Sequence, residues 1–139
     1  MLSEQVLRSA PDWLVERANS LIKSNVKYVV ARSAHQPRID PSTGFCCWGF
    51  VWYYYKLVGI ELPLDAYEAE KLCVVVKDRL RWLDVVSYSN FLFSPIPHLG
   101  VMESEYKVLH CSGETNGVAR SAIVTMPTPT KVYRYAALV

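Results

Sequence analysis

The run Gly44-Phe45-Cys46-Cys47-Trp48-Gly49-Phe50-Val51 decides the reading of this chain. It leads into Trp52-Tyr53-Tyr54-Tyr55-Lys56-Leu57-Val58, apolar and aromatic, which closes at Gly59. Glycine sits well just past a helix C-terminus, so the pattern predicts a loop that turns into a helix at Cys47 and stops at Gly59. A cysteine at a helix start feels the positive end of the dipole and the unpaired N–H groups of the first turn. Such surroundings can lower a thiol pKa from about 8.5 into roughly the 3.5–7.5 range. Cys47 is therefore a candidate nucleophile, and the rest of the chain is read for a base.

Pro97-His98-Leu99-Gly100-Val101-Met102 reads as one strand and Lys107-Val108-Leu109-His110-Cys111 as the next, with Glu103-Ser104-Glu105 between them. A hairpin centred on Ser104 sets His98 directly opposite His110. Opposed residues share a face, with Cβ atoms about 5 Å apart. A shift of one residue would instead send the two rings to opposite faces. The hairpin thus predicts paired imidazoles, one able to orient the other. Cysteine, histidine and an orienting polar group form the working parts of an activated nucleophile.

At this point the chain resembles the NlpC family of papain-like cysteine peptidases. Cys46-Cys47-Trp48-Gly49-Phe50-Val51 is similar to the family's Asp-Cys-Ser-Gly-Phe/Leu-Val motif, with Cys47 on the nucleophile. Tyr54 to Val58, followed by Gly59-Ile60-Glu61-Leu62-Pro63, resembles the family's helix and its Gly-Ile-x-Leu-Pro exit. Leu83-Asp84-Val85-Val86-Ser87-Tyr88 resembles the Gly-Asp-Leu-Val-Phe-Phe strand. His98-Leu99-Gly100-Val101 resembles the His-Val-Gly-Ile strand of the catalytic base, and Val108 to Ser112 the strand of the third, orienting residue. Tyr28 could match the tyrosine that the family places beside the nucleophile, although packing suits it equally well. The likeness runs from about residue 12 to 135. Cys46 stands where an acid is usual, Trp48 where serine is usual, and Val29-Val30 where Gly-Gly is frequent.

The resemblance implies an α+β, papain-like fold, with N-terminal helices packed on an antiparallel sheet of about five strands. It implies amide hydrolysis in peptidoglycan stem peptides, next to D-glutamate, by Cys47, His98 and His110. The backbone N–H of Cys47 would be an oxyanion donor, and no cofactor is implied. Tyr28, Cys46 and Trp48 fall at the pocket, and the edge-of-site position of Trp48 favours the cleft over the core. Circularly permuted, lipid-acting relatives place histidine before cysteine, whereas Cys47 comes first here. A rival reading keeps the fold without the catalysis, as a binding or assembly module of a phage tail or secretion apparatus.

Length and composition agree with one domain over residues 1–139. Half of the residues are hydrophobic and a fifth are charged, which suits a globular chain with a real core. A net charge of +2 is too small to argue for nucleic acid or an anionic membrane. No apolar run approaches a membrane span. Met1-Leu2-Ser3-Glu4-Gln5-Val6 has no basic region leading into an apolar core, so no secretory signal is read. Action at the cell envelope would then require delivery by another system. The oligomeric state is left open.

Four cysteines in a chain of this length are not a disulfide scaffold. Cys73, in an apolar run, and Cys111, turned away from the face of His110, read as buried inert thiols. Cys46 is the weaker candidate nucleophile, and His35 reads as solvated. Cys47, His98 and His110 could ligate zinc, but no local Cys-x-x-Cys or His-x-x-x-His spacing supports a metal site.

Elsewhere, Ser9, Pro11 and Asp12 predict a helix start, with Trp13, Leu14, Ala18, Leu21 and Ile22 at helical spacing. Ser33 to Thr43 reads as a loop feeding Cys47. Asp65 with Glu68 predicts a short helix from Ala66 to about Leu72. Strands are expected over Val85–Tyr88, His98–Met102, Lys107–Cys111, Ala122–Thr125 and Lys131–Tyr135, with a loop over Asn90–Pro97.

Overall fold

Helix α1, Asp12–Lys23, buries Leu14, Ala18 and Leu21 along one stripe, while Trp13 turns out to solvent. The Pro11 carbonyl accepts from the N–H groups of Leu14 and Val15, so the helix starts without a side-chain cap. The computed structural model describes residues 8–31, 33, 35–88 and 98–138. The loop expected over 90–97 and the stretch read for a secretory signal lie outside the described residues.

A small hairpin, β1 (Ile39–Asp40) and β2 (Gly44–Phe45), feeds helix α2, Cys47–Leu57. Helix α2 is apolar on nearly every side, and such a helix is stable only when it is surrounded. Trp48, Phe50, Val51, Trp52, Tyr54 and Tyr55 are all buried, and Tyr53 is half-buried, with Arg17 donating to its hydroxyl at 2.7 Å. The buried aromatics find partners for their polar tips. Trp48 and Trp52 donate to the carbonyls of Leu64 and Leu62, at 2.8 and 2.7 Å, and the Tyr55 hydroxyl donates to Leu83. Trp82 donates to the Tyr54 hydroxyl at 3.0 Å. The helix ends as the glycine signal predicts, with Gly59 at φ +85° and the Ile60 N–H turned back to the Tyr55 carbonyl.

Helix α3, Ala66–Glu70, is capped by the Asp65 carboxylate, which accepts from the N–H groups of Tyr67 and Glu68. The remaining strands are β3 (Cys73–Val75), β4 (Val85–Ser87), β5 (Leu99–Met102), β6 (Lys107–Ser112), β7 (Gly117–Ala122) and β8 (Lys131–Tyr135). They form one antiparallel sheet in the order β3-β8-β4-β5-β6-β7. Helix α2 packs on β5 and β6, and α1 on β7. The architecture is α+β with helices on an antiparallel sheet, as expected, but the sheet has six strands.

Two expectations change here. The β-branched run Ile123-Val124-Thr125 is a 3₁₀ turn with Val124 86% exposed, whereas the plainer Gly117–Ala122 pairs along the whole of β6. Ladder pairing and burial outweigh local propensity there. Cys73 begins edge strand β3 and is only half-buried, its thiol directed at the Ala69 carbonyl at 3.6 Å. Among the described residues no helix is long and apolar enough to cross a membrane.

Candidate active site

The site begins at the N-terminus of α2, where the N-cap is a cysteine. The Cys46 Sγ accepts from the N–H of Gly49 at 3.2 Å and of Arg38 at 3.3 Å. Its own N–H donates to the Arg38 carbonyl at 3.2 Å. Sulfur thus does the work that serine or aspartate oxygen does at most caps. A Cβ on Gly49 would overlap the Arg38 carbonyl oxygen, so only glycine lets the loop lie this close to the first turn. Cys46 is buried, and burial pushes its thiol pKa up. Its sulfur is thus engaged in the helix cap, turned to the N–H groups of Gly49 and Arg38.

Cys47 is the first residue of α2 and is 1% exposed. Burial, then the neighbouring Cys46, pushes its thiol pKa up to about 12. The N–H groups of Trp48, Leu99 and Cys47 itself pull it down, but by less. The helix-start effect is therefore present and loses to desolvation, the reverse of the sequence expectation. The Leu99 N–H that reaches this sulfur belongs to the residue after His98, so the thiol lies against the start of β5.

His98 directly precedes β5, and His110 lies within β6. Their rings meet nearly perpendicular, at 82°, with centroids 4.9 Å apart. The expected pairing of rings holds, but the register differs. The residue directly opposite His110 is Gly100, and His98 lies on the diagonal, still on the same face. The turn explains the two-residue displacement. The Glu103 N–H donates to the Lys107 carbonyl at 2.9 Å, and the Ser104 hydroxyl accepts from the N–H groups of Tyr106 and Lys107. The hairpin is thereby centred on Glu105.

His98 is half-buried, and the Tyr88 ring lies 5.6 Å from it between centroids. Burial lowers the His98 pKa, and the Glu114 charge opposes this. His110 is buried and pushed down to about 4, first by burial and then by His98. Both rings are neutral at neutral pH. The His110 Nε2 is 2.9 Å from the Ser121 hydroxyl, whereas its Nδ1 is buried without a hydrogen-bond partner among the described residues.

Tyr28 is half-buried and forms a β-bridge with Phe45, and its phenol pKa is raised by burial and then by the Cys47, Cys46 and Cys111 thiols. Trp48, read as favouring the cleft, is packed into the core. It is 1% exposed, and its indole reaches across to the segment between α2 and α3. One residue along a helix rotates the side chain by about 100°, and that step carries Trp48 away from the face of Cys47. Cys111 packs in the core as expected, directed at the Phe45 carbonyl at 3.5 Å. Among the described residues no group of three or more His, Cys, Asp or Glu side chains is arranged to hold a metal ion.

The sequence reading missed Ser121 and Tyr88. A signal for Ser121 existed. With Thr115-Asn116-Gly117 read as a turn, β7 pairs Ala119 with His110, and Ser121 falls on the diagonal of the same face.

Known proteins share this fold. The sequence profile described as "NlpC/P60 family" matches residues 26–135. Among solved structures, NlpC2 from Trichomonas vaginalis is 21% identical with a TM-score of 0.60, and the match covers 97% of this chain and 50% of that one. A Staphylococcus aureus protein described as similar to lipoprotein, NLP/P60 family, is 15% identical with a TM-score of 0.62, covering 96% of this chain and 45% of that one. The P60 domain of a M. avium subspecies paratuberculosis antigen is 20% identical with a TM-score of 0.55, covering 90% of this chain and 96% of that one. The chain thus spans about half the length of the first two. No curated protein matches it. At these identities the structures speak for the fold, whereas the profile match covers most of the chain: the chain belongs to the NlpC/P60 family, whose members are generally cell-wall peptidases.

Proposed function

We propose that this chain is a cysteine peptidase or amidase that hydrolyses an amide bond in peptidoglycan stem peptides, with Cys47, His98 and His110 as its catalytic residues. One observation carries the reading. A thiol at the first turn of α2 meets the start of β5, where two neutral imidazoles stand 4.9 Å apart. The thiol is protonated at rest, so His98 acts as the base that removes the proton as the sulfur attacks. The carbonyl carbon gains a C–S bond, and its oxygen takes up the negative charge, with the Cys47 N–H at the helix start as its donor. His98 returns the proton to the amine as the C–N bond breaks. Water then attacks the thioester, losing its proton to His98, and the thiol is regenerated. His110 orients His98. Tyr28 borders the substrate, and this chemistry belongs at the cell envelope.

The test is incubation with purified muropeptides and mass spectrometry of the products. Wild type should yield a pair of fragments that sum to substrate plus water. Cys47→Ala and His98→Ala should yield none, and His110→Ala should be slower. The same observation that makes the thiol hard to ionise, its burial, favours a second reading: a non-catalytic NlpC-like binding or assembly module, for example of a phage tail or secretion apparatus. Intact muropeptides after exposure to wild type would leave that reading standing and remove the first.

A further inference from the structure

We propose that Ser121 is a positioning residue: it fixes the tautomer of His110 and, through it, the direction in which His98 presents its lone pair. The inference rests on the peptidase reading of Cys47 and His98. A neutral imidazole carries one N–H and one lone pair, and hydrogen bonding decides which nitrogen holds which. The His110 Nε2 sits 2.9 Å from the Ser121 hydroxyl, and the Nδ1 is buried with no partner among the described residues. The group beside that ring is His98.

Two arrangements are possible. If the His110 Nε2–H donates to the Ser121 oxygen, Nδ1 bears the lone pair and can accept the N–H of His98. The other His98 nitrogen then holds its lone pair for the Cys47 proton. If Ser121 donates instead, Nδ1 carries the hydrogen and would take up the His98 lone pair. His98 would then face the thiol with an N–H and could accept nothing. Only the first arrangement leaves a base, and it satisfies the orphaned Nδ1 when His98 closes on it.

The surrounding frame holds Ser121 in place. It lies diagonally from His110 across the β6–β7 ladder, paired with Val108. The preceding Arg120 side chain is fastened by Glu103, at 2.6 and 3.0 Å, and by Asn19 at 2.7 Å. Burial keeps His110 neutral, so hydrogen bonding decides which of its nitrogens holds the hydrogen.

The direct test reads the His110 ring nitrogens by ¹⁵N chemical shift in the full chain at neutral pH. Wild type should show a pyrrole-like Nε2 and a pyridine-like Nδ1, and Ser121→Ala should average the two tautomers. Against muropeptides, Ser121→Ala should lower kcat by roughly tenfold or more, part of the ~10²–10⁴ that a positioned base contributes, with KM little changed. Ser121→Thr, which keeps a hydroxyl, should recover most of that loss. A pyrrole-like Nδ1 in wild type would overturn the proposal, whether or not any variant folds. So would unchanged kcat in a folded Ser121→Ala. A wild type with the expected tautomer but no hydrolysis would support the role of Ser121 on His110 and remove the peptidase reading, so the two failures are distinguishable.

Discussion

At the residue scale, two buried side chains that share one helical turn point to different neighbours. Cys47 faces β5, and Trp48 is driven into the core with its N–H on the Leu64 carbonyl. Trp48→Ser should therefore lower stability by about 3 kcal/mol or more, the cost of a lost buried aromatic with its cavity. Urea unfolding monitored by circular dichroism measures it, and a loss below about 1 kcal/mol, small for a core truncation, would contradict the packing. Acid should act through the histidines. His110 has a folded pKa of about 4, below its ordinary value of 6.5, so the unfolded chain binds the proton first as pH falls. Stability is full above pH 6.5 and declines from there towards pH 4, and the lowered pKa of His98 works in the same direction. The urea midpoint should fall over that window more steeply in wild type than in His110→Gln; equal slopes would mean that His110 is not held neutral by burial. The meeting of His98 and His110 on one face was legible from spacing alone. The burial of Cys46 and Trp48 was not, because a helix pattern this apolar gives no preferred inner face.

At the element scale, the β5–β6 hairpin carries both histidines, and Gly100 permits its close packing. A Cβ there would stand 2.5 Å from Val108 Cγ2 and 3.1 Å from the Leu109 carbonyl oxygen. Gly100→Ala should cost about 1–3 kcal/mol through overpacking and should weaken hydrolysis by parting the two rings. A thermal melt together with muropeptide turnover checks both effects, and an unchanged melt would show that the strands yield freely. Helices α1 and α2, the capped start of α3, and strands β4, β5, β6 and β8 follow closely from their sequence patterns. The hairpin register does not, since it depends on where a polar turn closes its hydrogen bonds. Here the Ser104 hydroxyl captures two N–H groups and moves the centre to Glu105, a choice invisible in a Glu-Ser-Glu string. Even parity survives the change, so the shared face was predicted correctly on a register that was two residues off.

At the scale of the whole molecule, strands distant in sequence are joined by a buried ion pair. Arg134 on β8 donates two hydrogen bonds, each 2.8 Å, to Asp84 just before β4, and others to Asp78 and the Arg79 carbonyl. Asp84→Asn leaves the buried guanidinium with only the more exposed Asp78 as an acidic partner and should cost about 3 kcal/mol, whereas the double change Asp84→Leu with Arg134→Met should restore most of it. Chemical unfolding of the single and double variants decides the point, and a double variant no better than the single would show that the network does more than pair charges. The sequence by itself determined the helix-start thiol, the glycine stop, the face shared by His98 and His110, and the α+β class, because each follows from local periodicity and chain-terminating chemistry. Only the tertiary structure decided that β3 would join β8 as an edge and that Ser121 would reach His110. It also decided that Cys46 would cap a helix and that the thiol at Cys47 would be pushed up rather than down. Those outcomes depend on which distant groups exclude water from a residue and which donors meet it there, and neither is set by the residues adjacent in the chain.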